Sequence, residues 1–250
     1  MTLSLVTTPD DGWITIATAA RKPHEKEHAQ AWLDRVLGLA PVASRAFRLG
    51  DDGSVEVRAD DGPGERRVLA PGRVEVLRSL AQRRCGLARD SGWKRGDGGA
   101  VVLCDEARSR FLLTRKDSGH PNPRCRGKLA LISGALEKGE SFREGALREL
   151  HEEVRDLSLV DAASALLAPL TTATLDAVQW PGTYRLGVFL AAAPPDLFAR
   201  WHAAWSHPDV LSEASPLCLD RDTLLALIAD EDAHPGTQFV GSHHVLGRAL

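Results

Sequence analysis

The segment Ser141–Asp156 constrains this chain more than any other, because three local rules agree that it is a helix with two working faces. Ser141 followed three residues later by Glu144 is a capping box, in which each side chain satisfies a backbone N–H that the first turn leaves open. Leu147, Leu150 and Val154, with Ala146 beside them, recur at three- and four-residue spacing and form one apolar stripe. Glu149, Glu152 and Glu153 stand at i, i+3 and i+4, so they crowd together on a different face. Three like charges in one patch repel, and the helix alone gains nothing from them. A cation is the natural compensation. Mg²⁺ or Mn²⁺ suits carboxylate oxygen, and Mg²⁺ usually combines a few carboxylates with water and phosphate.

The residues upstream complement that patch. Arg108, Arg110, Arg115, Lys116, Arg124, Arg126 and Lys128 form a basic run able to meet phosphate. Acid for metal and base for phosphate, from adjacent segments, point to metal-assisted attack on a phosphate ester or anhydride.

The segment Gly134–Asp156 resembles the Nudix box, G-x5-E-x7-R-E-U-x-E-E-x-G-U with U a bulky aliphatic. Gly134, Glu140, Arg148, Glu149, Leu150, Glu152 and Glu153 occupy matching places. The resemblance implies an α/β fold, the family's α/β/α sandwich over a mixed sheet. It also implies hydrolysis of a nucleoside diphosphate linked to another group, with Mg²⁺ or Mn²⁺. Carried over by position, Glu149, Glu152 and Glu153 would be metal ligands, Glu149 ligating or helping to activate water. The backbone carbonyl of Ser133 would add a ligand. Arg148 and Glu140 would form a supporting ion pair, and Arg115 with its neighbour Lys116 would contact phosphate. Glu213 is the candidate for the extra carboxylate that relatives carry late in the chain. The box's final glycine and aliphatic are here Arg155 and Asp156, which predicts a different exit from the helix. The substrates that fit the class are ADP-ribose-like sugar nucleotides, damaged nucleoside triphosphates and dinucleoside polyphosphates. The alternative is a non-catalytic Nudix-like module that binds a nucleotide and regulates.

Organisation along the chain is legible more coarsely. The 250 residues suit one large or two small domains. A Gly- and charge-rich stretch at 88–99 suggests a boundary, with an α+β region over 1–95 and the catalytic domain over 96–250. In the first part, the Asp-Asp-Gly turns at 51–53 and 60–62 separate Phe47–Leu49, Val55–Arg58 and Arg67–Leu69 as a small meander. Helices are expected around Trp32–Leu39 and over Val74–Leu87. This region would shape the substrate pocket, mediate dimerisation, or both, and family members of this size often form homodimers. In the second part, strands are expected at Ala100–Cys104, Arg110–Thr114, Lys128–Ile132, Leu170–Thr174, Tyr184–Ala191 and Leu217–Leu219. Helices are expected at Asp196–Ser206, carrying Trp201 and Trp205 as core, and at Asp222–Ala229.

Composition removes other classes. With 31 basic and 34 acidic residues the net charge is -3, so bulk nucleic-acid binding is not expected. No apolar run approaches the ~18–20 residues of a membrane helix. The first residues lack the basic n-region of a secretory signal. None of the four cysteines forms a Cys-x-x-Cys pair, and a cytoplasmic address is the expectation. His24-Glu25-Lys26-Glu27-His28 satisfies the H-E-x-x-H zinc pattern, but it lies in a highly polar stretch without a clear third ligand. Solvated charge is its reading, and His243-His244 is read as surface or core.

Overall fold

A computed structural model describes residues 4–7, 13–17, 31, 33–40, 42, 45–50, 52–59, 62–84, 97–120, 123–137, 139–176, 183–211, 214–235, 237–240, 245–247 and 250. Glu213, Trp32, His24, His28, His243, His244 and most of the 88–99 stretch lie outside the described residues. Packing divides the chain into two units, Met1–Gly92 with Glu137–Glu140, and Trp93–Leu136 with Ser141–Leu250.

The first unit is an antiparallel meander in the order β1-β2-β3-β4-β5. Its strands are β1 (Ser4–Thr7), β2 (Ile14–Ala17), β3 (Arg45–Leu49), β4 (Ser54–Ala59) and β5 (Glu65–Val68). Helix α1 (Pro71–Arg84) follows. Residues 33–37 are helical, and Leu33, Val36 and Leu37 are buried. The buried Asp34 carboxylate accepts from Arg45 Nε at 2.6 Å and from Val42 N–H at 3.0 Å, which joins this helical turn to β3. Two guanidinium groups lie over the Trp13 ring, Arg58 at 4.2 Å and Arg48 at 5.1 Å from its centroid.

The second unit has a mixed sheet with the main order β10-β11-β6-β7-β12. Its central strands are β6 (Gly98–Asp105) and β7 (Arg110–Lys116). Both are read closely by the sequence, and the polar turn between them is tied by Asp105, which accepts Ser109 N–H at 2.7 Å and Arg110 N–H at 2.8 Å. β10 (Ala168–Asp176) is antiparallel to β11 (Thr183–Ala193), β11 runs parallel to β6, and β12 (Ala214–Asp220) is antiparallel to β7. The expected strand Lys128–Ile132 is instead broken at Leu131. β8 (Leu129–Ala130) pairs with β7, and β9 (Ile132–Ala135) pairs with β6. The reason is geometric. β6 and β7 pair with each other only at Leu103–Leu112 and Cys104–Phe111, next to their turn. Beyond that point each takes its partner from the 129–135 segment.

Helices cover both faces of this sheet. α2 (Phe142–Glu153) lies against the face that carries Gly99, whose missing Cβ lets the α2 backbone approach at Ala146, Gly145 and Phe142. Strand alternation assigns Val101, Leu103 and Leu112 to that face. The opposite face, with Ala100, Val102, Phe111 and Leu113, forms one core cluster with Leu224 and Ile228 of α5 (Arg221–Ala233) and with Phe239, Val245 and Leu246. This is the α/β/α layering expected. α4 (Pro195–Trp205) buries Phe198, Trp201 and Trp205, and Trp205 Nε1 donates to the carbonyls of Leu113 (3.1 Å) and Leu217 (3.2 Å), so both tryptophans serve the core.

One helix was not expected. α3 (Leu157–Leu166) begins directly after α2, capped by Asp156, whose carboxylate accepts Ser158 N–H at 2.9 Å and Leu159 N–H at 3.0 Å. Among the described residues no helix is long and apolar enough to cross a membrane.

Candidate active site

The capping box of α2 forms as its sequence requires. Ser141 Oγ accepts Glu144 N–H at 3.2 Å, and the Glu144 carboxylate accepts Ser141 N–H at 2.8 Å. Ala146, Leu147, Leu150 and Val154 are all fully buried, so the apolar stripe is the core face. That orientation turns Glu149, Glu152 and Glu153 to a rim where their side chains are 13%, 20% and 15% exposed.

Among the described residues, Arg148 and Lys116 meet this patch. Arg148, buried between the two faces, donates from Nη1 to Glu149 Oε1 at 2.6 Å and to Glu152 Oε2 at 3.3 Å. Its Nη2 donates to the Ala135 carbonyl at 2.8 Å, which fixes the guanidinium to β9. Lys116 Nζ lies 3.7 Å from Glu153 Oε1. Part of the compensation demanded by three adjacent carboxylates is therefore internal.

Gly134 has a direct steric role here. A Cβ at this position would collide with the Glu149 carboxylate, so only glycine lets Glu149 lie against β9. Gly134 pairs with Gly99 and Ser133 with Ala100, which turns the Ser133 side chain to the far face of the sheet. Ser133 Oγ donates to the Leu131 carbonyl at 3.3 Å, so at this residue a backbone carbonyl is the atom left to consider as a ligand. Glu140 is buried at 1% exposure, and its Oε2 accepts Glu137 N–H at 2.8 Å across a tight turn that contains Gly139 at φ +84°.

The two neighbouring cations of β7 separate. Arg115 shares strand parity with Phe111 and Leu113, on the α5 face, and its exposed guanidinium donates to the Gly127 carbonyl at 2.9 Å. Lys116 shares parity with Leu112 and Thr114 and is the one that reaches the glutamates. Alternation alone would have separated the pair at the sequence level.

The exit from α2 explains the altered end of the box. Val154 leaves the helix in extended conformation (φ -95°, ψ 124°) and forms a bridge with Leu211, and Arg155 N–H donates to the Val210 carbonyl at 2.8 Å. Asp156 then caps α3. Burial works to raise the Asp156 carboxyl, but the Ser158 hydroxyl and two backbone N–H donors outweigh it and hold it below its ordinary value of 3.8.

The donor set suits a hard divalent cation: three carboxylates on successive turns of one helix, one of them lodged in the space that Gly134 leaves. Among the described residues, no three His, Cys, Asp or Glu side chains already converge as a finished cage.

Comparison with known proteins follows the same lines. Residues 94–215 match the family model described as NUDIX domain. A search of the curated proteins found no match. Among solved structures, the Nudix hydrolase RenU from M. Smegmatis aligns with a TM-score of 0.35 at 20% identity, over 63% of this chain and 87% of that one. The NUDIX domain of Shewanella oneidensis NrtR, complexed with ADP ribose, aligns with a TM-score of 0.39 at 14% identity, over 67% and 94%. A C. elegans Ap4A hydrolase binary complex aligns with a TM-score of 0.38 at 16% identity, over 62% and 94%.

Proposed function

Residues 94–215 belong to the NUDIX family, and on that premise we propose that this chain is a Mg²⁺- or Mn²⁺-dependent pyrophosphohydrolase. Its substrate is a nucleoside diphosphate linked to another group, with ADP-ribose-like compounds first and damaged nucleoside triphosphates and dinucleoside polyphosphates next. The observation that carries this reading is the patch of Glu149, Glu152 and Glu153, with Glu149 seated against Gly134. Glu149, Glu152, Glu153 and the Ser133 carbonyl would hold the cation, which when bound supplies charge neutralisation at phosphate and a water of lowered pKa.

The remaining roles belong to the chain. Arg148 positions Glu149 and Glu152 through its bridging guanidinium, and its anchor at Ala135 keeps both carboxylates in register with β9. The Glu149 carboxylate is the group that would take a proton from the attacking water. Glu140 orders the turn that leads into α2. Lys116 meets substrate phosphate from the α2 face. Arg115, Glu213 and a second copy of the chain are secondary parts of the proposal.

The test is a hydrolysis panel of ADP-ribose, sugar nucleotides, dinucleoside polyphosphates and oxidised triphosphates. Each would be incubated with Mg²⁺, Mn²⁺ or chelator and its products separated chromatographically. Cleavage of a phosphoanhydride that chelator abolishes is the expected result. Cleavage that survives chelation contradicts the reading, and tight nucleotide binding without turnover would instead favour a regulatory module.

A further inference from the structure

The two cations that meet the glutamates are held very differently. Arg148 is 5% exposed, anchored at a carbonyl, and shared by two carboxylates, so it has nowhere else to go. Lys116 approaches Glu153 at 3.7 Å, which is an ion pair without a hydrogen bond. Its root, by contrast, is fixed. Lys116 N–H donates to the Lys128 carbonyl at 2.9 Å, while the Lys116 carbonyl accepts from Gly127 N–H at 2.8 Å. Two residues therefore oppose one, with Gly127 at φ +71°, which is a β-bulge with glycine in the left-handed position. The regular ladder resumes at the next rung, Arg115 with Leu129. Lys116 thus has a locked backbone and a four-carbon stem whose charged tip is only loosely engaged.

We propose that Lys116 is an internal counterion that sets how tightly Glu153 accepts a divalent cation, and that it passes to a substrate phosphate oxygen when the cation arrives. This rests on the metal reading given above. An ammonium and a divalent cation on one carboxylate repel each other, so the second must displace the first. The displaced ammonium is a mobile point charge of the kind that binds phosphate. Metal and nucleotide affinities are then linked, and the linkage is reciprocal. Lys116 acts here as a positioning residue for the cation and as a contact for the anion.

The experiment is a calorimetric titration of the full chain with Mn²⁺, alone and in the presence of AMP. The proteins are wild type, Lys116→Met, Lys116→Arg, Glu153→Gln and the Lys116→Met/Glu153→Gln double variant. Lys116→Met should bind Mn²⁺ about fivefold tighter than wild type without nucleotide, the ratio equivalent to ~1 kcal/mol for one ion pair. Lys116→Arg should restore wild-type affinity. With Glu153→Gln present, removing Lys116 should no longer change Mn²⁺ affinity. In wild type, Mn²⁺ should tighten AMP binding, and Lys116→Met should reduce that coupling by a similar factor.

Mn²⁺ affinity in Lys116→Met equal to or weaker than wild type overturns the counterion role while leaving the metal site standing. Absence of Mn²⁺ binding in wild type overturns both. Should Lys116→Met fail to fold, Lys116→Gln carries the same expectations, and AMP affinity in wild type that is indifferent to Mn²⁺ contradicts the hand-over independently.

Discussion

The two faces of α2 are built from one helical period and obey opposite rules. On the core face, Ala146, Leu147 and Leu150 are fully buried, and Gly99 lets the helix backbone come close to β6. Burial of this kind is non-directional and tolerates changes that conserve volume. On the other face, Glu149, Glu152 and Glu153 gather like charge at a part-exposed rim, held by Arg148 and Lys116. That arrangement costs rather than contributes stability unless a cation offsets it. Packing and charge are therefore separable along a helix of 12 residues, with the buried Arg148 guanidinium reaching from one to the other.

Leu150→Ala should break the core face most severely, lowering the unfolding free energy by about 2–5 kcal/mol in denaturant titrations. Activity per folded molecule should stay near wild type. If activity vanishes while stability is unchanged, the two faces are not separate. Gly134→Ala should act the other way round. Its new methyl group meets the Glu149 carboxylate, the far end of a flexible side chain, so that carboxylate should shift off β9 at little cost in stability, with a loss of turnover that Leu150→Ala does not share. Steady-state kinetics beside thermal unfolding would distinguish the two patterns.

Asp156→Ala tests the helix exit without touching any glutamate. Loss of the α3 cap should cost about 1 kcal/mol, read as a lower unfolding midpoint with kinetics unaltered. The smallest effect concerns pH. Burial works to raise the carboxyls of Asp105 and Asp156, but hydrogen bonds from Ser109 and Arg110 and from Ser158 and Leu159 outweigh it and lower both. Groups depressed in the folded state contribute stability that is complete above their ordinary value of 3.8 and is lost as pH falls through the lowered folded value. Unfolding midpoints should thus fall on acidification below about pH 4, and less steeply in Asp156→Ala. An unchanged acid limb in that variant would remove Asp156 from the account.

The start of α2 was legible and its end was not, for a physical reason. Ser141 and Glu144 satisfy each other locally, so four residues of sequence suffice to place the cap. The exit depends on Val210 and Leu211, more than fifty positions away, and no local pattern announces such a partner. α3 did carry a signal, the Asp156 cap followed by Leu159, Val160 and Ala163 at helical spacing, which a comparison of Asp156 with the box's final aliphatic conceals. The break between β8 and β9 is different again. The run Leu129–Ile132 is buried throughout, and a strand buried on both faces shows no alternation from which a change of partner could be read. At the candidate site, residue types were legible from the box, while Lys116 rather than Arg115 as the neighbour of Glu153 required the strand parity.

The most direct test of the glutamate face compares Glu152→Gln with wild type on whichever phosphoanhydride the panel identifies, at saturating Mg²⁺ or Mn²⁺, with thermal unfolding measured on the same samples. Turnover in the variant should fall by about a hundredfold or more, as loss of a charge-stabilising group commonly causes. With the metal removed by chelator, its unfolding free energy should change by no more than about 1 kcal/mol, because Gln can still accept from Arg148. Turnover equal to wild type in a folded Glu152→Gln would contradict the assignment of this face as the catalytic one.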